Sequence, residues 1–139
     1  MITVYSREFL RQLATASPTT VGPCKIKLFQ NDLAPGPDTV IGDFVEADFS
    51  GYAAISHVAG DWSLPLNLLG PSVGTQTPLD HFEATSSAVV NVVHGFWLEQ
   101  TGPPVVLITC GRFDAPANMG AIGDTIDILN RLAWFLGIP

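Results

Sequence analysis

The sequence predicts a mainly β protein, a single antiparallel β-sandwich or barrel-like domain with a short N-terminal helix. Thirteen glycines and eleven prolines among 139 residues favour short segments joined by turns. Several segments alternate polar and apolar residues, which is the period of a β-strand. The length suits one domain, and a chain of this size buries about two-thirds of its unfolded surface. We therefore predict one domain over residues 1–139, in which residues 1–20 form a helix and a linker arm.

The first segment predicts a helix from Ser6 to Ala16. Ser6 is placed to cap it, and the apolar residues behind Ser6 recur at helical spacing: Phe9, Leu10, Leu13 and Ala14. Pro18 and Pro23 end this helix. From Lys25 to Phe29 the period changes to two, which predicts a half-buried strand with Ile26 and Leu28 on one face and both lysines on the other.

The middle of the chain predicts short strands between loops. Residues 31–42 are rich in proline and glycine and predict a surface loop. An acidic and aromatic segment follows from Asp43, and Gly51 is placed to bend the backbone before a second strand, Tyr52 to Val58, in which Ala53, Ile55 and His57 share one side. Prolines in residues 60–78 exclude long regular structure there and favour an edge strand with alternating Trp62, Leu64, Leu66 and Leu68.

The last third predicts a β-hairpin. One strand places Val90, Val92, His94, Phe96 and Leu98 on a single apolar face, a turn at Gly102 follows, and Val105 to Cys110 returns as the partner. Residues 114–123 predict a loop. The final segment from Thr125 alternates at first and favours a strand, although Ile128, Leu129, Leu132, Ala133 and Leu136 also fit one face of a helix.

Composition excludes several functional classes. Apolar residues make up 47% and charged residues only 14%, which is not the composition of a disordered chain. The net charge of -7 repels phosphate backbones and anionic lipid, so we predict no nucleic-acid or membrane partner. Arg7, Glu8 and Arg11 interrupt any N-terminal export signal, and no apolar run is long enough for a membrane span. These features predict a soluble protein made in a cytoplasm.

The histidines and cysteines match no pattern of catalytic or metal-binding residues. His57, His81 and His94 lack the spacing of metal ligands, so we interpret them as hydrogen-bonded structural residues, although Asp80 could orient His81. Cys24 and Cys110 fit no metal or redox spacing and are interpreted as small buried residues. A catalytic pair of Cys110 and His94 across the hairpin is the less favoured alternative.

Acidic and aromatic residues give two further candidates. Asp43, Glu46 and Asp48 could hold calcium, but they lack a complete calcium-loop pattern, and a solvated acidic face is the preferred interpretation. Trp62, Trp97 and Trp134 could stack on sugar rings, but core packing is preferred. Because few charges are available, part of the surface must be apolar, and a large apolar patch is typical of a protein contact.

Three stretches resemble a family of small virion-associated proteins of tailed bacteriophages. They are Lys27 to Asp32, then Asp43 to Ala53, and then Gly111 to Met119 followed by Gly123 to Ile126. The resemblance implies a structural virion protein without enzymatic activity, most directly a capsid decoration or cement protein, and alternatively a tail-associated module that binds a glycan or receptor. It carries no catalytic, cofactor-binding or metal-binding residue.

The resemblance also implies partners and a location. The partners would be the major capsid protein or other virion proteins, and a homo-oligomer is expected. The protein would reside in the virion after assembly in the host cytoplasm. Within this family pattern we expect framework roles: Gly51 for a bend, Glu46 and Asp48 for local backbone bonds, and Arg112 for pairing with an acidic neighbour.

Overall fold

A computed structural model describes residues 2–5, 23–62, 66–67 and 72–135. In this part of the chain the strands are β1 (Ile2–Tyr5), β2 (Cys24–Phe29), β3 (Ile55–His57), β4 (Leu66–Asn67), β5 (Ser72–Glu83), β6 (Asn91–Gln100), β7 (Val106–Met119) and β8 (Thr125–Phe135). The described helical pieces are 3-10 turns at Ile41–Asp43 and Ala59–Asp61. The predicted β class is confirmed. The helix expected at Ser6 to Ala16 lies outside the described residues, and residues 2–5, expected in the N-terminal arm, form β1.

The strands build two antiparallel sheets. The larger has the order β1-β7-β6-β2-β3, and the smaller has the order β4-β5-β8. Apolar side chains from both sheets share one core, so the sheets face each other as a sandwich. The larger sheet contributes side chains with less than 1% exposure, among them Ile26, Leu28, Val93, Leu98 and Ile108. The smaller sheet contributes Ile126 and Ile128 of β8.

The strand expected at Lys25 to Phe29 is confirmed as β2. Ile26 and Leu28 point into the shared core while Lys25 and Lys27 lie on the opposite, outer face, as the alternation predicts. The second strand is shorter than expected, because only Ile55–His57 pairs with β2. Gly51 has a φ of +95° and turns the chain there. The bend expected at this glycine is confirmed.

The expectation of one apolar face through Val90, Val92 and His94 is wrong. Val90 and Val92 are exposed, whereas Val93 is buried in the core together with Phe96. The β6–β7 register shifts between Val93 and Gly95, so the side of the strand that faces the core changes at that point. A period of two cannot reveal such a change in the sequence.

Two expected irregular segments are strands instead, and both corrections involve proline at a register shift. β5 runs from Ser72 to Glu83 and includes Pro78. The strand tolerates this proline because Pro78 lies within the register shift between Gln76 and Leu79, where no residue of β8 pairs with it. β7 continues to Met119 through the segment expected as a loop. Residues 113–116, including Pro116, stand opposite His94 alone, so the missing proline N–H breaks no regular ladder.

Of the remaining expectations about strands, the hairpin and the final strand are confirmed, and the edge strand is confirmed in part. β6 and β7 form the hairpin, and Gly102 in its turn has a positive φ of 151°. The expected edge strand is present as β4, the two residues Leu66–Asn67 at an edge of the smaller sheet. Trp62 lies before β4 and packs against the core, and Leu64 and Leu68 lie outside the described residues. Thr125–Phe135 is a strand and not a helix. In the described residues, no helix has the length and apolar character that crossing a membrane requires.

Candidate functional site: a groove beside the loop over the larger sheet

The chain between β2 and β3 forms a loop that bonds to itself. The Thr39 N–H donates to the Gly36 carbonyl at 3.1 Å, and the Gly36 N–H donates to Thr39 Oγ1 at 2.8 Å. The Val40 N–H donates to Asp43 Oδ2 at 2.9 Å. These bonds satisfy backbone groups that regular structure would otherwise pair, so the loop has a defined shape before any partner binds.

Asn31 ties the two ends of this loop together. Its Nδ2 donates to the Asp43 carbonyl, and its Oδ1 accepts from the Val45 N–H, both at 2.9 Å. Arg112 of β7 then fastens the loop to the sheet. Its Nη1 donates to the Leu33 carbonyl at 2.9 Å, and its Nη2 lies 2.5 Å from Asp32 Oδ1. The expected pairing of Arg112 with an acidic neighbour is confirmed.

A second apolar cluster lies beneath the loop, on the outer face of the larger sheet. Its buried members are Phe29, Phe44, Trp97, Leu107 and Cys110, and Leu33 and Ile41 pack against them. The rings of Phe44 and Trp97 stack with centroids 4.9 Å apart and an angle of 6° between their planes. The central strands β6 and β7 are therefore covered by apolar side chains on both faces.

A buried carboxylate sits at the edge of this cluster. Glu99 accepts a hydrogen bond from Trp97 Nε1 at 2.8 Å and pairs with Lys27 Nζ at 3.0 Å. Lys27 also lies 3.2 Å from Glu46 Oε2. Burial disfavours the charged lysine, but Glu99 and Glu46 outweigh that effect and raise the pKa of Lys27. The lysine therefore stays charged and compensates the buried carboxylate.

An open groove of about 710 Å³ runs between the loop and the start of β7. Pro37, Val40 and Ile41 line the loop side, and Val105 and Leu107 line the other side. Val40 is 58% exposed and Val105 is 55% exposed, although both are apolar. Apolar side chains left in water across a concave surface are typical of a contact site for another molecule. Among the residues that line the groove, Asp38 carries the one charge.

His57 is in the interior, beside the carboxylate that the sequence suggested as a partner of His81. Its Nε2 lies 2.8 Å from Oδ1 of Asp80, whose side chain is also buried. Burial raises the pKa of Asp80, and the contact with His57 opposes that rise. The suggestion that Asp80 orients His81 is wrong, because neighbouring residues of β5 point to opposite faces.

The other two histidines differ in exposure. His81 is exposed, and its Nδ1 lies 2.6 Å from Asp127 Oδ1 of β8. His94 is mostly buried, and its Nδ1 has no hydrogen-bond partner among the described residues, with Asp32 Oδ1 at 3.6 Å. The expectation that both nitrogens of His94 are satisfied is therefore wrong. In the described ranges, no three His, Cys, Asp or Glu residues are grouped so that they could hold a metal ion.

The three carboxylates of the acidic segment bind protein groups. Asp43 accepts from the backbone, whereas Glu46 pairs with Lys27 and accepts from the Tyr52 hydroxyl at 3.0 Å. Asp48 Oδ1 accepts from Asn91 Nδ2 at 2.9 Å. The expectation that Glu46 and Asp48 make local backbone bonds is wrong for their carboxylates, which bond distant side chains. These contacts hold the segment against β2 and β6.

Both cysteines are buried as free thiols, as expected. Burial raises the pKa of Cys24 to about 12 and that of Cys110 to about 11, so each stays protonated at neutral pH. The pair Cys110 and His94 is not brought together across the hairpin, because Cys110 stands opposite Trp97.

The tryptophans largely serve packing. Trp97 is 2% exposed and is covered by Phe44, so it offers no face to a sugar ring. Trp62 is partly buried against the core and makes an edge contact with His57. The side chain of Trp134 lies outside the described residues.

Sequence reasoning missed the groove. The loop itself was expected, but its contact with β7 depends on Arg112 reaching Asp32 and Leu33, which are about eighty residues away in sequence. A local signal was present in the apolar residues Val40 and Val105, each next to a proline- or glycine-rich stretch. Comparisons of the chain with protein-family models, with curated proteins and with solved structures find no match.

Proposed function

We propose that this chain is a non-enzymatic structural protein of a tailed-bacteriophage particle, a decoration or cement protein that stabilises the shell through protein contacts. The observation that carries the proposal is the preformed apolar groove with exposed Val40 and Val105 at its sides. The resemblance of the three sequence stretches to virion-associated proteins supplies the kind of particle.

The frame of the groove fits an assembly role. Arg112, Lys27 and the carboxylates around the loop are engaged with one another or with the backbone. Such contacts hold the loop in one position rather than perform a reaction, because each of these charged groups is already compensated by another. A groove held in this way binds its partner without a large ordering cost.

The groove occupant we propose is an extended, apolar segment of the major capsid protein with basic flanks. The lining of the groove is mainly apolar, and the whole chain has a net charge of -7. A partner with positive charge beside its apolar segment complements both features. Many copies on one shell would turn a modest contact into strong attachment.

The first test uses purified particles of the phage that encodes the chain. We expect the protein to be present in a fixed ratio to the major capsid protein, and particles lacking it to burst at a lower temperature or in milder osmotic shock. Immunogold labelling should decorate the shell. Absence from the particles, or unchanged shell stability without the protein, would contradict the proposal.

The second test addresses the groove itself. Val40→Asp and Val105→Asp place a charge on the apolar surface, and we expect each to reduce binding to stripped particles by at least about tenfold. Val58→Asp is the matched control, because Val58 is also 58% exposed but does not line the groove. Equal binding by all three variants would rule out the groove as the attachment site.

A further inference from the structure

The smaller sheet has two very different edges. At one edge, β4 has two residues, Leu66–Asn67, and at the other, β8 has eleven, Thr125–Phe135. β5 pairs with one side of β8, and no strand among the described residues pairs with the other. Its backbone groups on that side form a row available for pairing, and natural proteins usually protect such an edge.

β8 lacks several of the features that usually protect an exposed edge. It contains no proline and no lysine, and the register shift in its pairing with β5 comes from an extra residue of β5, so β8 itself is regular. Short edges protect the larger sheet, where β3 has three residues and β1 has four. Among the strands at the ends of the two sheets, β8 is therefore the longest in the part of the chain that the structure describes.

Two opposite charges flank an exposed apolar residue on this strand. Asp127 and Arg131 stand two residues before and two residues after Leu129, which is 42% exposed. Strand alternation places all three positions on the same face of the sheet. The facing position on β5 is Leu79, which is 62% exposed, so this face carries an apolar pair between the charges.

We propose that β8 pairs antiparallel with β8 of a second copy of this chain, about a twofold axis at Leu129. In that register Leu129 faces Leu129 of the other copy, and each Asp127 faces an Arg131. Opposite charges directly across an antiparallel pair stabilise it, and like charges destabilise it. Two three-stranded sheets become one six-stranded sheet, and Ile126 and Ile128 keep their core-facing direction.

Several registers of the β8–β8 pair place the core-facing residues of both copies on the same side of the sheet, and charge favours one of them. An axis at residue 127 sets Asp127 against Asp127, and an axis at residue 131 sets Arg131 against Arg131. The axis at residue 128 sets Asp127 against Leu129 and Arg131 against Thr125, and the axis at residue 130 sets Arg131 against Leu129 and Asp127 against Ala133, so neither pairs the two charges. The axis at Leu129 is therefore the one that pairs every charge of the strand.

This inference does not depend on the proposed function, since it concerns the isolated protein. Sedimentation or light scattering of the full chain should give a dimer of twice 14.8 kDa. Asp127→Arg and Arg131→Asp should each weaken dimerisation by at least about tenfold, and the double swap should restore it. Glu83→Arg is the matched control, because Glu83 is exposed, also contacts His81, and belongs to β5 rather than to the β8 edge.

A cross-linking measurement keeps the test valid if a charge variant folds poorly. Leu129→Cys should form an intermolecular disulfide under mild oxidation, because the two positions face each other across the axis. Thr125→Cys should not, since the copies of residue 125 would be eight positions apart. Buried Cys24 and Cys110 contribute little background. A monomer at all concentrations, or a dimer that neither responds to the charge variants nor cross-links through residue 129, would overturn the proposal.

Discussion

Single residues control how the strands of this molecule approach one another. At Gly95 a Cβ atom would lie 2.1 Å from the Gly111 carbonyl oxygen and 2.6 Å from the Phe29 ring. The backbone of β7 and a buried ring therefore leave space for hydrogen alone. The same glycine follows the register shift that turns β6 over, so close approach and change of face occur together.

We expect Gly95→Ala to destabilise the fold by about 2–3 kcal/mol, because the added methyl group must displace backbone or a buried ring. Urea unfolding followed by circular dichroism measures the change. Gly36→Ala is the control, since nothing lies within 4 Å of the corresponding Cβ position. An equal effect at both positions would show that the contact at Gly95 is not the cause.

The His81–Asp127 contact predicts a pH dependence. Asp127, with a smaller contribution from Glu83, raises the pKa of His81 above its ordinary value of 6.5. The ion pair therefore stabilises the folded state below pH 6.5, and this contribution is lost as the pH rises through the elevated pKa.

Titration of His81 by NMR should show the raised pKa. Asp127→Asn should return it toward 6.5, and Glu83→Gln should lower it less, because Glu83 lies at 3.8 Å and Asp127 at 2.6 Å. A larger effect of Glu83→Gln would contradict this assignment.

At the scale of elements, the loop over β6 and β7 is held by an apolar cluster beneath it and by a few hydrogen bonds and ion pairs. The carboxylate buried at the edge of this cluster, Glu99 of β6, depends on Lys27 for compensation. Lys27→Met should therefore cost about 3 kcal/mol of unfolding free energy, because it leaves Glu99 buried without its counter-charge. Adding Glu99→Gln should recover most of the loss.

Chemical denaturation measures both variants, and Lys25→Met serves as the control on the same face of β2. We expect the control to change stability by less than about 0.5 kcal/mol. A double variant as unstable as Lys27→Met alone would show that lost packing, rather than the unpaired charge, is responsible.

Arg112 predicts a local effect on the loop. Arg112→Ala removes the bonds to Leu33 and Asp32, so hydrogen exchange in residues 31–42 should become faster while β2 and β8 keep their protection. Uniformly faster exchange throughout the chain would instead indicate a global loss of stability.

The elements also show what the sequence could and could not predict. Strand β2 was predictable because Lys25 to Phe29 alternates without interruption. The face of β6 was not, because the shift beside Gly95 depends on the backbone of β7. The strands at Pro78 and Pro116 were not predictable for a similar reason, since each proline lies within a register shift that only the pairing with another strand creates. The bend at Gly51 and the role of Arg112 followed from local chemistry, whereas the groove depends on contacts distant in sequence.

At the scale of the whole molecule, two apolar clusters lie on opposite faces of one sheet. Cys24 belongs to the cluster between the sheets and Cys110 to the cluster under the loop. Because both thiols are buried, we expect them to react with a thiol reagent at the same rate, set by global unfolding. Mass spectrometry of partly labelled protein measures the two rates. Much faster labelling of Cys110 would show that the outer cluster opens independently.

The stacking of Trp97 under Phe44 gives the protein its own optical reporter. The indole of Trp97 is buried, its Nε1 bonds to Glu99, and Lys27 lies over its ring. The stacked ring of Phe44 belongs to the loop that forms one wall of the groove. A partner that shifts this loop on entering the groove will change the emission of the indole. Attachment can therefore be followed by fluorescence of the natural chain, without an added dye.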